Sequence, residues 1–194
     1  MKVVAVSQRV DEYLEYEEVR DTLDQRVALF LAAAGGLCAP VPNRLGAGLN
    51  DWLTALKPAA IVLSGGNNLG QCAARDTTEH ALLDYARLHR LPVLGICRGM
   101  QMMAHWAGTG LRPVQGHVRT RHHLSGKITG EANSYHGFSL TDCPSGFAVL
   151  ARSEDGEIEA IRHESLPWEG WMWHPEREST FATRDVQRLK ALLS

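Results

Sequence analysis

Gly95-Ile96-Cys97-Arg98-Gly99 sets a thiol between two glycines, one two residues before it and one two residues after. An apolar run, 92–96, leads into it and a helix-like segment, 100–107, leads away. This is the pattern of a nucleophile elbow with sulfur as the nucleophile. A sharp strand-to-helix turn crowds the backbone, so small residues at those two positions relieve the clash and the side chain is pushed into the open. The N-terminus of the following helix points at the sulfur and favours negative charge there. The competing reading is a buried core cysteine beside chance glycines, and the strand-turn-helix setting argues against it.

A thiolate nucleophile needs a base that later acts as an acid. His174-Pro175-Glu176 offers one. Pro175 drives His174 toward an extended conformation, and residues two apart in extended chain face the same side. Glu176 is then placed to orient the imidazole and stabilise its charged form. The other eight histidines lack this pairing. Leu63-Ser64-Gly65-Gly66-Asn67 supplies a third part: two glycines after a buried strand let backbone approach a ligand closely. A tetrahedral intermediate needs N–H donors aimed at its oxyanion, and the amides of Gly66 and Arg98 are the candidates. An ordinary turn is the alternative reading of that loop.

These residues need a scaffold that brings distant loops together. Residues 2–7, 59–64 and 92–96 read as buried strands. Leu23, Val27, Phe30, Leu31 and Ala34 follow helical spacing, closed by Gly35-Gly36. Asp76 with Glu79 three residues on resembles a helix N-cap with its box partner, for a helix running to about Arg90. Alternating strands and helices predict an α/β fold with a mostly parallel sheet covered on both faces. Beyond Gly110 the pattern is irregular: 147–152, 157–162 and 168–173 read as strands, and 184–193 as a final amphipathic helix. Ligands of open parallel sheets bind beyond the carboxyl ends of the strands. Ser7-Gln8-Arg9, Ser64-Gly65-Gly66 and Cys97 all fall just past such ends.

The 194 residues suit one domain, 1–194, with no repeat or linker. Apolar residues make up 44% and charged residues 22%, with net charge -2. That balance gives no electrostatic reason for a nucleic-acid or membrane partner. The apolar start is too short for a signal peptide, and no run approaches the ~18 residues of a membrane span. A cytoplasmic protein is expected. Its four cysteines, Cys38, Cys72, Cys97 and Cys143, lack CxxC spacing and read as free thiols, not zinc ligands.

The elbow, the Gly-Gly loop and His-Pro-Glu, in this order, resemble the class I glutamine amidotransferase superfamily over nearly the whole chain. The run from Arg75-Asp76 through the elbow to Asn133-Ser134-Tyr135-His136-Gly137 and His174-Pro175-Glu176 is similar to its γ-glutamyl hydrolase branch. Within that branch, Ser7-Gln8-Arg9, Gly65-Gly66-Asn67, residues 92–105, 151–157 and 173–178 are similar to γ-glutamyl-CDP-amidate hydrolases of bacterial surface-polysaccharide clusters.

The resemblance implies a doubly wound, flavodoxin-like sheet, with Cys97 as nucleophile, His174 as base and Glu176 as orienting acid. It implies that Gln101, Tyr135, His136 and the backbone around Gly137 and Phe138 hold the glutamyl group. It also implies hydrolysis of a small-molecule γ-glutamyl amide, with no metal and no organic cofactor. A glutaminase subunit feeding a separate synthetase, a γ-glutamyl-γ-aminobutyrate hydrolase and a non-catalytic binding protein remain as alternatives.

Residues 112–127 carry Arg112, Arg119, Arg121 and Lys127 with three histidines and no acid. Such a loop suits a phosphorylated leaving group, read by Arg119 and Arg121. A solvated basic loop is the competing expectation. Met100, Met102, Met103 and Trp106 read as packing behind the elbow. Trp168, Trp171 and Trp173 alternate as strand residues do, for core packing or for contact with a second copy in a homodimer.

Overall fold

The computed structural model describes residues 1–194. Its centre is a nine-stranded sheet. In chain order the elements are β1 (Lys2–Val6), a hairpin β2 (Arg9–Tyr13) and β3 (Glu18–Thr22), α1 (Gln25–Ala33), β4 (Gly36–Pro40), α2 (Leu49–Leu56), β5 (Ala60–Leu63), α3 (Ala73–His89), β6 (Val93–Ile96) and α4 (Arg98–Trp106). They continue with β7 (Leu111–Pro113), β8 (Val118–Gly126), β9 (Gly130–Tyr135), β10 (Phe138–Leu140), β11 (Phe147–Arg152), β12 (Ile158–His163), β13 (Trp168–Trp171) and α5 (Thr183–Leu192).

The sheet runs β4-β1-β5-β6-β13-β12-β11-β8-β9. The first five are parallel, and every pairing from β13 onward is antiparallel. Counted along the parallel half, the order is second, first, third, fourth, fifth, which is the flavodoxin-like winding expected. Parallel strands buried on both faces are apolar throughout, and β5 shows why: Ala60 and Val62 join the core under α1 and α5, while Ile61 and Leu63 join the core under α2, α3 and α4.

Two expectations change and a third is narrowed to one of its alternatives. Asp76 does not cap α3. The helix begins one turn earlier, with Cys72 at the N-cap, and Asp76 Oδ2 instead accepts the Gly70 N–H at 2.9 Å. Residues 112–127 are not a loop but mostly strand, in β7 and β8. The tryptophans Trp168, Trp171 and Trp173 are at most 1% exposed, so they pack the core and offer nothing to a second copy. The four cysteines are free. No helix is long and apolar enough to cross a membrane.

Candidate active site

Cys97 follows β6 and takes φ 51° and ψ −105°, a conformation rarely adopted by a side-chain-bearing residue. The flanking glycines leave room for the turn. A Cβ on Gly95 would sit 2.6 Å from the Gly99 backbone and from Met103 Sδ, and a Cβ on Gly99 would run into the backbone of Leu63. The elbow is therefore wedged between β5 and its own helix, and Cys97 N–H donates to Trp171 O at 2.7 Å to fix it from the other side.

His174 lies three residues beyond β13. Its Nδ1 is 2.7 Å from Glu176 Oε1, which leaves Nε2 free, and His174 and Cys97 line one cavity. The contact with Glu176 is not made along extended chain. His174 is the N-cap of a single 3₁₀ turn, Pro175–Arg177, and the turn folds the carboxylate back onto the ring. Burial disfavours the imidazolium, but the negative sulfur of Cys97 and the Glu176 carboxylate outweigh it and raise the His174 pKa to about 9. Asn133, given no separate role by its sequence, clamps the same residue: its Oδ1 accepts His174 N–H at 2.9 Å and its Nδ2 donates to His174 O at 2.8 Å. A buried Asn in β9, four strands from β13 in the sheet order, leaves no local signal, so only the fold reveals it.

Gly65 packs directly under the imidazole. A Cβ there would lie 2.5 Å from His174 Cε1. Asn133 and Glu176 hold His174 too firmly for the ring to step aside. Gly65→Ala is therefore expected to lower kcat by on the order of 10²-fold, as displacement of a catalytic group by about 1 Å does. Steady-state kinetics beside a thermal melt will separate this from unfolding.

The Gly-Gly loop is held from behind. Buried Arg75 donates to Ser64 O at 2.6 Å and Gly65 O at 3.0 Å, and its Nε meets Glu79 Oε1 at 2.9 Å. Glu79 also accepts from Ser7 Oγ at 2.7 Å and from the buried Arg98 guanidinium, which reaches Asp76 as well. Neither Gly66 N–H nor Arg98 N–H donates to another backbone group, and both residues line the same cavity as Cys97. Glu79, which has the spacing of a cap partner, is the centre of this ionic brace.

That cavity is about 230 Å³ and is lined by Gly66, Cys97, Gln101, Tyr135, His136, Gly137, His174 and Arg177 among others. A larger one, about 730 Å³, lies between α3 and α4 and contains no cysteine or serine, so chemistry and not size locates the site. Gln101 Nε2 donates to Phe138 O at 3.0 Å. Phe138 itself does not line the cavity; its carbonyl is committed to Gln101 and to His136 Nδ1, also at 3.0 Å.

Arg119 and Arg121 do not reach the cavity lining. Arg119 occupies an irregularity in the β8–β9 ladder with φ 57°, and Arg121 pairs with Glu178 at 2.9 Å. Arg112 likewise pairs with Glu157 at 2.6 Å. The acid-free stretch finds its acids elsewhere in the chain. Two cations line the cavity: Arg98, whose guanidinium is taken by Glu79 and Asp76, and Arg177, whose guanidinium lies 4.7 Å from the Tyr135 ring centre and 3.7 Å from Glu176 Oε1. Arg177 directly follows Glu176, and that adjacency is the signal the sequence carries.

An elbow cysteine, a histidine beyond the next parallel strand and a Gly-Gly loop, all on one rim of a flavodoxin-like sheet, define a known class. The family model for class I glutamine amidotransferases matches residues 43–191, and the chain belongs to that family. Among its relatives is the γ-glutamyl-CDP-amidate hydrolase of Campylobacter jejuni subsp. jejuni serotype O:2, 32% identical over 141 residues, spanning 70% of each chain. The glutamine-hydrolyzing GMP synthase subunit of Thermococcus kodakarensis is also 32% identical, over 71% of this chain and 77% of its own. In structure, a protein from Thermoplasma acidophilum assigned as a GMP synthase subunit superposes with a TM-score of 0.74 at 20% identity, covering 100% of this chain and 94% of its own.

Proposed function

We propose that this chain is a cysteine hydrolase that cleaves γ-glutamyl amides through Cys97, His174 and Glu176. One observation carries the reading: Cys97, His174, Gly66 and Arg98 line one small cavity, and the amides of the last two donate to no other backbone group. Cys97 sulfur attacks the γ-carbonyl carbon, and the amides of Gly66 and Arg98 receive the oxyanion. The intermediate collapses, the C–N bond breaks, and His174 gives its Nε2 proton to the leaving nitrogen. Water then loses a proton to His174 and attacks the thioester carbonyl. Cys97 leaves as thiolate and glutamate departs. Glu176 keeps its charge throughout and orients the ring.

At about 230 Å³ the cavity is smaller than the ~300–1,000 Å³ of sites that enclose a drug-sized ligand. It takes the glutamyl part and leaves the amine side at the rim. There Arg177 suits a phosphorylated leaving group, in keeping with the likeness to the γ-glutamyl-CDP-amidate hydrolase. The likeness to the GMP synthase subunit favours a second reading, a glutaminase that delivers ammonia to a partner. Glutamate release from the isolated chain, tested on glutamine, γ-glutamyl-aminobutyrate and a γ-glutamyl-nucleotide amidate, separates the two. Efficient turnover of the amidate alone supports the hydrolase. Negligible release from every substrate, with strong stimulation by a synthetase, supports the ammonia-delivering reading. In the hydrolase, Arg177→Ala is expected to raise KM about tenfold for the amidate, the worth of about 1.4 kcal/mol, and to leave KM for glutamine nearly unchanged.

The raised His174 pKa sets the alkaline limit. Imidazolium is needed to protonate the leaving group, so kcat/KM is expected to fall above pH ~9. The sign for stability is the same: the ion pair contributes in full below the ordinary value of 6.5 and is lost as pH rises through about 9. In Glu176→Gln the alkaline limb of the rate profile should move to lower pH and kcat should drop at least ~10-fold. An unmoved limb with full activity would remove Glu176 from the mechanism.

A further inference from the structure

Away from Cys97, three buried side chains from separate segments meet: His117 before β8, His136 after β9 and Glu159 in β12. They are 0%, 3% and 1% exposed. His117 Nδ1 and His136 Nε2 are 3.2 Å apart, and Glu159 Oε1 is 3.3 Å from the first and 3.4 Å from the second. The outer nitrogens decide what the inner atoms carry. His136 Nδ1 lies 3.0 Å from Phe138 O, and a carbonyl only accepts, so that nitrogen holds the hydrogen. His117 Nε2 lies 2.9 Å from Asp155 Oδ2, again an acceptor. In the neutral rings the two facing nitrogens therefore both present lone pairs, toward each other and toward a carboxylate oxygen. Glu159 Oε1 is buried without a hydrogen-bond partner. Three acceptors this close are satisfied either by a proton on His117 or by a metal ion among them.

We propose that His117 Nδ1, His136 Nε2 and Glu159 Oε1 bind a zinc ion that fastens the β9–β10 turn to β12. Zinc bonds to nitrogen and oxygen of ~2.0–2.1 Å place ligands about 3.3–3.4 Å apart at the corners of a tetrahedron, which is the triangle found here. Two imidazoles and one carboxylate are ligands suited to Zn²⁺ and poor for Mg²⁺ or Ca²⁺. The outer partners match as well: Asp155 on His117 and a backbone carbonyl on His136 are the supports that fix ligand histidines. Asp155 is half exposed and gives the ion a way in. The sequence motifs point to no metal, because these ligands lie far apart in the chain and only the sheet assembles them.

The ion would also bear on the cavity. His136 and Gly137 line it, and His136 shares the Phe138 carbonyl with Gln101. Loss of zinc is then expected to raise KM more than it lowers kcat, a consequence that rests on the γ-glutamyl reading above; the binding itself does not.

The test uses the full chain stripped with chelator and titrated with zinc chloride by calorimetry, with a thermal melt alongside. One Zn²⁺ per chain and a raised Tm are expected. Asp155→Ala, at an exposed carboxylate that threatens no core, should weaken binding ~10–100-fold, and Glu159→Gln should weaken it at least as much. Cys97→Ala should bind as the parent does. Cobalt(II) in place of zinc should give a tetrahedral absorption spectrum without a sulfur charge-transfer band. Absence of uptake would overturn the proposal. So would uptake that Cys97→Ala abolishes and Asp155→Ala leaves intact, since the ion would then sit on the thiol. Zinc binding as expected with no glutamate release from any substrate would sink the γ-glutamyl reading alone.

Discussion

Cys97→Ala is expected to reduce glutamate release by on the order of 10⁴-fold or more, to the level left by binding and oxyanion contacts alone. The loss should appear in kcat, because the cavity that holds the glutamyl group is otherwise intact. The change also removes the negative partner that raises the His174 pKa. In Cys97→Ala the imidazole should therefore titrate well below about 9, which NMR of the ring protons can follow. The other thiols give the control. Cys97 is not pushed into the open as its elbow predicts but is 7% exposed, and Cys38 and Cys143 are less buried; even so, burial pushes both of those thiols up. Brief alkylation at neutral pH should label Cys97 before them. Near-parental turnover in Cys97→Ala would end the assignment of the nucleophile.

Glu79→Ala is expected to cost about 3–5 kcal/mol of stability, the penalty for breaking a buried ion pair by removing one partner. The carboxylate is fully buried and meets the guanidinium groups of both Arg75 and Arg98 together with the Ser7 hydroxyl. Its removal leaves buried Arg75 with no carboxylate and Arg98 with Asp76 alone. Set against a typical total of about 5–15 kcal/mol, the variant sits near the edge of folding. Urea unfolding should show a lower midpoint with an unchanged slope. Because Arg75 also grips the carbonyls of Ser64 and Gly65, whatever folds should turn over slowly as well. A loss below ~1 kcal/mol, the scale of an exposed pair, would mean that the brace is better solvated than its burial indicates.

Much of this architecture is legible in the residues, and the failures have physical causes. β1, β5 and β6 are short apolar runs because parallel strands are covered on both faces, and their ends place Cys97 and the Gly-Gly loop on one rim. β8 escapes recognition because it is an antiparallel strand with a wet face: its Val118-Arg119-Thr120-Arg121 start is exposed and carries no apolar alternation. The β2–β3 hairpin escapes for the same reason, with every residue at least partly exposed. Asp76 and Glu79 have cap spacing, but tertiary ion pairing claims both. His174 and Glu176 pair for the chemical reason expected but through a different local geometry, a 3₁₀ turn in place of extended chain. Asn133 and the His117, His136 and Glu159 cluster are out of reach, since each depends on contacts between segments distant in sequence.

With Cys97 as the nucleophile, a glutamyl group passes through its sulfur. Rapid mixing of the chain with a γ-glutamyl-nucleotide amidate, acid quench and mass spectrometry of the digested protein test it directly. A peptide containing Cys97 that carries one glutamyl group in thioester linkage is expected, formed before steady-state glutamate release and absent in Cys97→Ala. Glutamate released at full rate with Cys97 unmodified, and equally by the Cys97→Ala chain, would contradict it.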